Sequence, residues 1–366
     1  MTPRARRACA LLITALLSAC GGKVVVDGEA ASGGTATTSA GSGGGAGVGG
    51  DSASSTMSGN GSTGTMSSSG GPGGGTGGGS VIPLAYTLKE YVGLPKTLWK
   101  GLGHASAIDS TERLFVSDGK IVYAIKDGVP EIYLSNADLK SATNNDLPGV
   151  ASLDVGPDDR LYILDGSFPY NILVSQGPHD VALHLTVDAD TLNWPPNIGV
   201  ESPDRILLVN GTGGLYEITP GSTKLVYEES TFQGGTSCGG EDFAVSQDGD
   251  FYYLPGCNGS PLLGGKTDGS GVAFIETVGD LKGIYFWGFG GVAHHPKGGA
   301  VANLAEAAYY FDKSGTPTKL SMTPSMDTIK GTGIAVSLFH GRPIEVSPAG
   351  VIYLIGADRI YRATPQ

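Results

Sequence analysis

The sequence predicts an all-β fold of six similar four-stranded units, and three observations predict it. First, an apolar residue, a polar or turn stretch of about five residues and a short apolar, often aromatic strand recur six times. The apolar marks Ile108, Val155, Val200, Val245, His294 and Val346 stand 47, 45, 45, 49 and 52 residues apart. Second, each copy continues into further strands with turn residues between them and almost no helical periodicity. Third, a spare strand, Leu84 to Val92, precedes the first copy, whereas the last copy reaches Gln366 after only three strands. Radial repetition of four-stranded sheets about an axis is how such a chain buries its strands. The prediction is therefore a six-bladed β-propeller over residues 81–366, its last blade completed by the N-terminal strand so that no wide sheet edge stays open.

The second strands read Leu114-Phe115-Val116, Leu161-Tyr162-Ile163, Ile206-Leu207-Leu208, Phe251-Tyr252-Tyr253, Ala300-Val301-Ala302 and Ile352-Tyr353-Leu354. Third strands follow at Ile121–Ile125, Ile172–Val174, Leu215–Ile218, Leu262-Leu263, Tyr309–Phe311 and Ile360-Tyr361. Asp127-Gly128, Pro220-Gly221, Asp268-Gly269 and Ser314-Gly315 then mark turns. Fourth strands are expected at Glu131–Leu134, Lys224–Tyr227 and Val272–Thr277. The connections between blades fall at 93–103, 136–150, 188–199, 229–241, 279–290 and 323–342.

Ahead of the repeats the composition changes. Residues 21–80 hold 23 of the 61 glycines and no aromatic residue, so this stretch cannot bury a core and is expected to be a disordered linker. A chain of that length spans roughly 40–45 Å on root-mean-square average. Residues 1–20 begin with Arg4, Arg6 and Arg7 and continue into an apolar run from about Ala8 to Ala19. That run is too short for a bilayer, which takes about 20 apolar residues, and has the layout of a secretory signal. Leu17-Ser18-Ala19-Cys20 resembles the lipobox of bacterial lipoproteins. The resemblance implies acylation at Cys20, the membrane as a partner, and tethering in the cell envelope, with the outer membrane expected. Only Cys238 and Cys257 then remain in the folded part; one disulfide is expected, with a thiol-bound metal or two free thiols as alternatives.

The net charge of −12, which becomes −15 without the first 20 residues, argues against nucleic-acid binding. A monomer is expected. Val155-Gly-Pro-Asp-Asp-Arg-Leu-Tyr162 and Val346-Ser-Pro-Ala-Gly-Val-Ile-Tyr353 resemble inner hairpins of the superfamily containing NHL-repeat proteins and the SMP-30/gluconolactonase group. That group holds a divalent metal, often calcium, near the axis through an acidic residue in an E-x-P-x-W motif. Here Glu241 matches the motif's acid, but the Pro and Trp are absent from Glu241-Asp242-Phe243-Ala244-Val245.

Chain positions four before each mark, or nearly so, are expected at the axial channel: His104, Ala151, Pro196, Glu241, Gly290 and Arg342. His104, Glu241, Asp242 and Arg342 are the catalytic candidates, since a His beside a Glu can act as general base and an Arg can hold an oxyanion. Against this stands a structural Glu241–Arg342 ion pair across a wet channel. Glu241, Asn145, Asp146, Asn210 and Asn303 offer hard oxygen ligands for calcium, although Asn and Asp are also ordinary turn residues. Trp99, Trp194, Tyr285, Trp287 and Phe289 lie in the between-blade loops, where aromatic rings either contact a ligand or seal the crevices between blades. The leading expectation is a binding or scaffolding module for a glycan, peptide or envelope partner. The alternative is a metal-dependent lactonase or esterase of SMP-30 type.

Overall fold

The computed structural model describes residues 82–93, 105–145, 148–167, 169–187, 197–209, 214–228, 240–255, 262–275, 291–304, 307–325, 343–356 and 359–366; of residues 240, 241, 255, 272–275 and 304 it describes the backbone only. The expected signal, lipobox and linker lie outside the described residues, as do Cys238 and Cys257. Within the described residues the chain is a six-bladed β-propeller.

Blades 1 to 5 are antiparallel four-stranded meanders that start at the channel with Ser106–Ile108, Val150–Val155, Asn197–Ser202, Gly240–Val245 and Val292–His294. Blade 6 starts with Ile344–Val346 and continues through Ile352–Ile355 and Arg359–Pro365. Each innermost strand touches those of the two neighbouring blades, and Ser106–Ile108 meets Ile344–Val346, so the ring is closed.

The reason the second strands read as continuous apolar runs lies in this geometry. Successive residues of a strand point to opposite faces, and in a ring of radial sheets both faces are buried. Leu114 and Val116 enter the core between blades 6 and 1, while Phe115 between them enters the core between blades 1 and 2. The hydrophobic core is accordingly six clusters, one at every seam.

Blade 6 closes as the sequence predicts. Ala85–Gly93 pairs antiparallel with Arg359–Pro365, sending Tyr86 and Leu88 into the seam with blade 5 and Val92 into the seam with blade 1. Two features lie beyond the sequence reading. Ser321–Thr323 adds a short parallel fifth strand to the outer edge, opposite Ala85–Thr87, and buries Met322. The connection from blade 1 to blade 2 contains a helix, Asn136–Thr143, with a capping box in which Ser135 and Asp138 satisfy each other's backbone N–H groups.

Five of the six inner hairpins share one turn. The residue after the mark (Asp109, Gly156, Ser246, His295 or Ser347) accepts at its carbonyl an N–H from the residue three later. That third residue has positive φ: Glu112 and Asp159 at 62°, and Gly249, Gly298 and Gly350 at 73–92°. Blade 3 uses instead a tight turn with Ser202 opposite Arg205.

Candidate functional site

An innermost strand has a sheet neighbour on one side only, so its other row of backbone N–H and C=O groups faces the channel and needs partners. Side chains from alternate blades supply several. Asp154 of blade 2 accepts the Val200 N–H of blade 3 at 2.6 Å and its neighbour's Val155 N–H at 2.8 Å. Asp242 of blade 4 accepts the Val292 N–H of blade 5 and the Phe243 N–H, both at 2.9 Å. In blade 6, Glu345 accepts the Ser106 hydroxyl of blade 1. Ser152 adds a second clasp between blades 2 and 3, accepting the Ile198 N–H at 3.1 Å.

These groups line an axial cavity of about 530 Å³. One end of it is ringed by the inner hairpin turns, through residues such as Asp109, Asp159 and Asp248. No Lys or Arg lines it among the described residues. Asp109 is satisfied locally by Thr111 and Arg113, Asp159 holds Ser110 of blade 1, and Asp248 lies 3.7 Å from Lys313. The three inner carboxylates are different, because they face one another across a confined, low-dielectric space. Burial pushes Asp154 up to about 7 against the pull of its two N–H donors. Burial pushes Glu345 up to about 8, against the Ser106 hydroxyl and with the help of the Asp242 and Asp154 carboxylates. At neutral pH the channel therefore keeps a proton on Glu345. His294 lines the same cavity, and burial holds its imidazole below the ordinary histidine value, against the pull of Asp248 and Asp250.

Of the catalytic candidates, Asp242 is at the channel. Glu241 lies in the innermost strand of blade 4, where its backbone alone is described, and His104 and Arg342 lie outside the described residues. Among the expected metal ligands, Asn145 follows the helix between blades 1 and 2, and Asn303 lies in the strand Ala300–Leu304 of blade 5, so they sit in separate sectors of the ring. Asp146 and Asn210 lie outside the described residues, as do Trp99, Trp194, Tyr285, Trp287 and Phe289. No group of three or more His, Cys, Asp or Glu among the described residues is arranged to hold a metal ion. Asp242 moreover commits both oxygens to backbone N–H groups.

Asp154, Glu345, Ser106 and Ser152 were missed by counting back four from each mark. The innermost strands of blades 2 and 4 carry register shifts between Val150 and Ser152 and between Gly240 and Asp242. The missed residues stand one to three positions before their marks, Asp154 and Glu345 directly before them, so a count of four passes them all, and in blades 2 and 4 it also lands on a bulge, which changes which face a residue takes. The usable signal was an acid directly before the apolar mark, Asp154-Val155 and Glu345-Val346, in a strand with no other charged residue.

No family model and no curated protein matches the chain. Solved structures with a similar fold include a streptogramin B lyase, with 10% identity, a TM-score of 0.49, and 77% of this chain and 98% of that one covered. A calcium-binding protein, regucalcin, from Agrobacterium tumefaciens shares 11% identity at a TM-score of 0.48, with 77% and 95% covered. The WD40 propeller domain of Doa1 shares 15% identity at a TM-score of 0.46, with 71% and 77% covered.

Proposed function

We propose that the protein is a lipid-tethered binding or scaffolding module of the cell envelope that receives a basic group, the amine of an amino sugar or a Lys or Arg side chain of a peptide, in its axial channel. The observation that carries this reading is the cavity itself: six carboxylates (Asp109, Asp154, Asp159, Asp242, Asp248 and Glu345) line it with no Lys or Arg among the described residues. Such a lining attracts cations and repels anions as its acids ionise, and at neutral pH Glu345 keeps a proton that an incoming cation would displace. The inner carboxylates clasp neighbouring blades, which fits a rigid receptor better than an acid–base pair.

Calorimetry on the full chain tests the binding reading, with soluble chitosan oligomers and oligolysine set against neutral chitin oligomers and oligoglutamate. Saturable binding of the basic set alone, weakening with salt, is expected. Equal binding of the neutral set, or none of the basic one, refutes it. Cys20→Ala is expected to move the protein from the membrane fraction to the soluble one. The lactonase alternative demands a metal effect: calcium at a hundred times its Kd would stabilise by about 2.7 kcal/mol. A rise in Tm with calcium, reversed by chelator, would displace our reading.

A further inference from the structure

We infer that the channel selects a primary ammonium group entering along its axis, whose three N–H bonds turn one each toward Asp154, Asp242 and Glu345, over a guanidinium or a quaternary ammonium. This sharpens the binding reading above and rests on it.

The argument starts from which blades carry the acids. Ahead of their marks, the innermost strands of blades 2, 4 and 6 hold Asp154, Asp242 and Glu345. Those of blades 1, 3 and 5 hold Ser106-Ala107, Asn197-Ile198-Gly199 and Val292-Ala293, without an acid. Alternate blades of a ring of six stand about 120° apart around the axis. Each acid reaches in the same sense to the next blade: Asp154 to the Val200 N–H, Asp242 to the Val292 N–H, Glu345 to the Ser106 hydroxyl. The three carboxylates therefore flank the axis from three sides. They share one gap, since Asp154 and Asp242 both raise the proton affinity of Glu345. Toward the hairpin-turn end the acids are answered by Arg113, Ser110 and Lys313, which hold Asp109, Asp159 and Asp248. The inner three are held by neutral donors, two pairs of backbone N–H groups and a hydroxyl, and no Lys or Arg lines the cavity among the described residues.

Shape then separates the cations. The three N–H bonds of a primary ammonium fan out evenly around its C–N bond, so a stem on the axis sends one donor toward each carboxylate. A guanidinium is planar and its plane contains its stem. The donors of an arginine entering along the axis therefore lie in one plane and miss at least one carboxylate. Bidentate pairing would also need both oxygens of one carboxylate, and Asp154 and Asp242 already hold backbone N–H groups with both. A quaternary ammonium has no N–H and is recognised by aromatic faces. Phe243 is the one phenyl, phenol or indole ring in the described lining, and it belongs to the core between blades 3 and 4.

Calorimetry on the full chain at pH 7, in low salt and an amine-free buffer, tests this with lysine, arginine and trimethyl-lysine, each blocked at its backbone amine and carboxyl, and with methyl glucosaminide. Lysine or the glucosaminide is expected to bind about tenfold more tightly than arginine and trimethyl-lysine, and the tighter of the two identifies the source of the amine. Asp154→Asn is expected to weaken that binding about fivefold. Asp180→Asn, which removes an equal charge from an exposed position on the outer strand of blade 2, should leave it unchanged. Glu345→Gln, expected to weaken binding about threefold, serves if Asp154→Asn fails to fold. Equal affinity for lysine and arginine, tighter binding of trimethyl-lysine, or an affinity that Asp154→Asn does not move would overturn the inference and leave the binding reading standing. No binding by any of the four compounds would overturn both.

Discussion

Gly199 gives the sharpest test of how the blades are packed. It sits buried in the innermost strand of blade 3, opposite Leu207, with its missing side chain aimed at blade 4. A Cβ there would lie 2.8 Å from Phe243 Cε1 and closer still to Val245 Cγ2. Both neighbours belong to the innermost strand of blade 4 and to the core of that seam. Neither can give way without moving a strand that Asp242 also ties to blade 5. Overpacking of this kind costs about 1–3 kcal/mol. For a domain of this size, at about 2–4 °C per kcal/mol, Gly199→Ala should lower Tm by roughly 2–12 °C. Gly177→Ala is the control, because a Cβ there meets nothing within 4 Å. It should stay within about 0.5 kcal/mol of the parent or gain slightly. The clash also predicts coupling: Val245→Ala costs stability alone but should recover part of it in the Gly199→Ala background, by about 0.5–2 kcal/mol. Differential scanning calorimetry of the four variants decides. A Gly199→Ala protein melting within a degree of the parent, or strictly additive effects, would show that the blades are not seated this closely.

Three further outcomes follow from the same structure. Between the ordinary Asp value of 3.8 and about 7, folded Asp154 holds a proton that the unfolded chain releases, so its contribution to stability is lost as pH rises through that window. Asp154→Asn should therefore gain on the parent by about 2–4 kcal/mol between pH 4 and pH 8 in urea titrations, and parallel profiles would contradict this. His295 behaves with the opposite sign: fully buried, its imidazole is held down to about 4, so below pH 6.5 the unfolded chain takes up a proton that the folded chain refuses. Stability should fall by up to about 3 kcal/mol from pH 6.5 to 4. His295→Asn, which keeps an acceptor for the Lys297 N–H, should flatten that slope while lowering stability at pH 7. Arg205 joins blade 3 to blade 4, binding Glu201 and Glu217 on its own blade and the Thr267 carbonyl at 2.8 Å on the next. With a quarter of its side chain exposed, Arg205→Ala should cost about 1–3 kcal/mol in a denaturant midpoint, and Lys at this position should restore less than half of that.

The ring was legible because the physics of a blade repeats. A second strand buried on both faces must be apolar at every position, and a hairpin turn must be polar with a residue tolerating positive φ. Both constraints recur at a fixed spacing, so the marks from Ile108 to Val346 stand out even at low sequence similarity. The closing strand was legible for the same reason, since Tyr86 and Leu88 alternate with Thr87 and Lys89 and needed a face to cover. The fifth strand at Ser321–Thr323 gave no such signal: three residues, one of them apolar, do not make a pattern. The helix did carry one, Ser135 three residues before Asp138, but eight residues with one buried apolar side chain, Leu139, fall below what periodicity can detect.

The channel is harder to read for a reason that bears on function. A carboxylate that satisfies a neighbouring blade's backbone and one that receives a ligand call for the same residue at the same place on an innermost strand. Sequence cannot separate them, and counting from the marks fails at the bulges that shape these strands. Structure narrows the choice by showing what each oxygen already does. Asp242 has both oxygens held by N–H groups, so its charge acts at the channel mainly through space. Glu345 is bound to one neutral hydroxyl and faces two fixed anions, so it gains most from a proton or from an incoming cation. That asymmetry makes binding at Glu345 testable. If a basic ligand takes the place of the proton at Glu345, binding by the parent should tighten between pH 6 and 8 and release up to one proton per ligand. In Glu345→Gln the ligand should still bind through Asp154 and Asp242, with a smaller proton release that Asp154, itself held up to about 7, supplies alone. A ligand whose affinity ignores pH in both proteins would sit elsewhere on the ring.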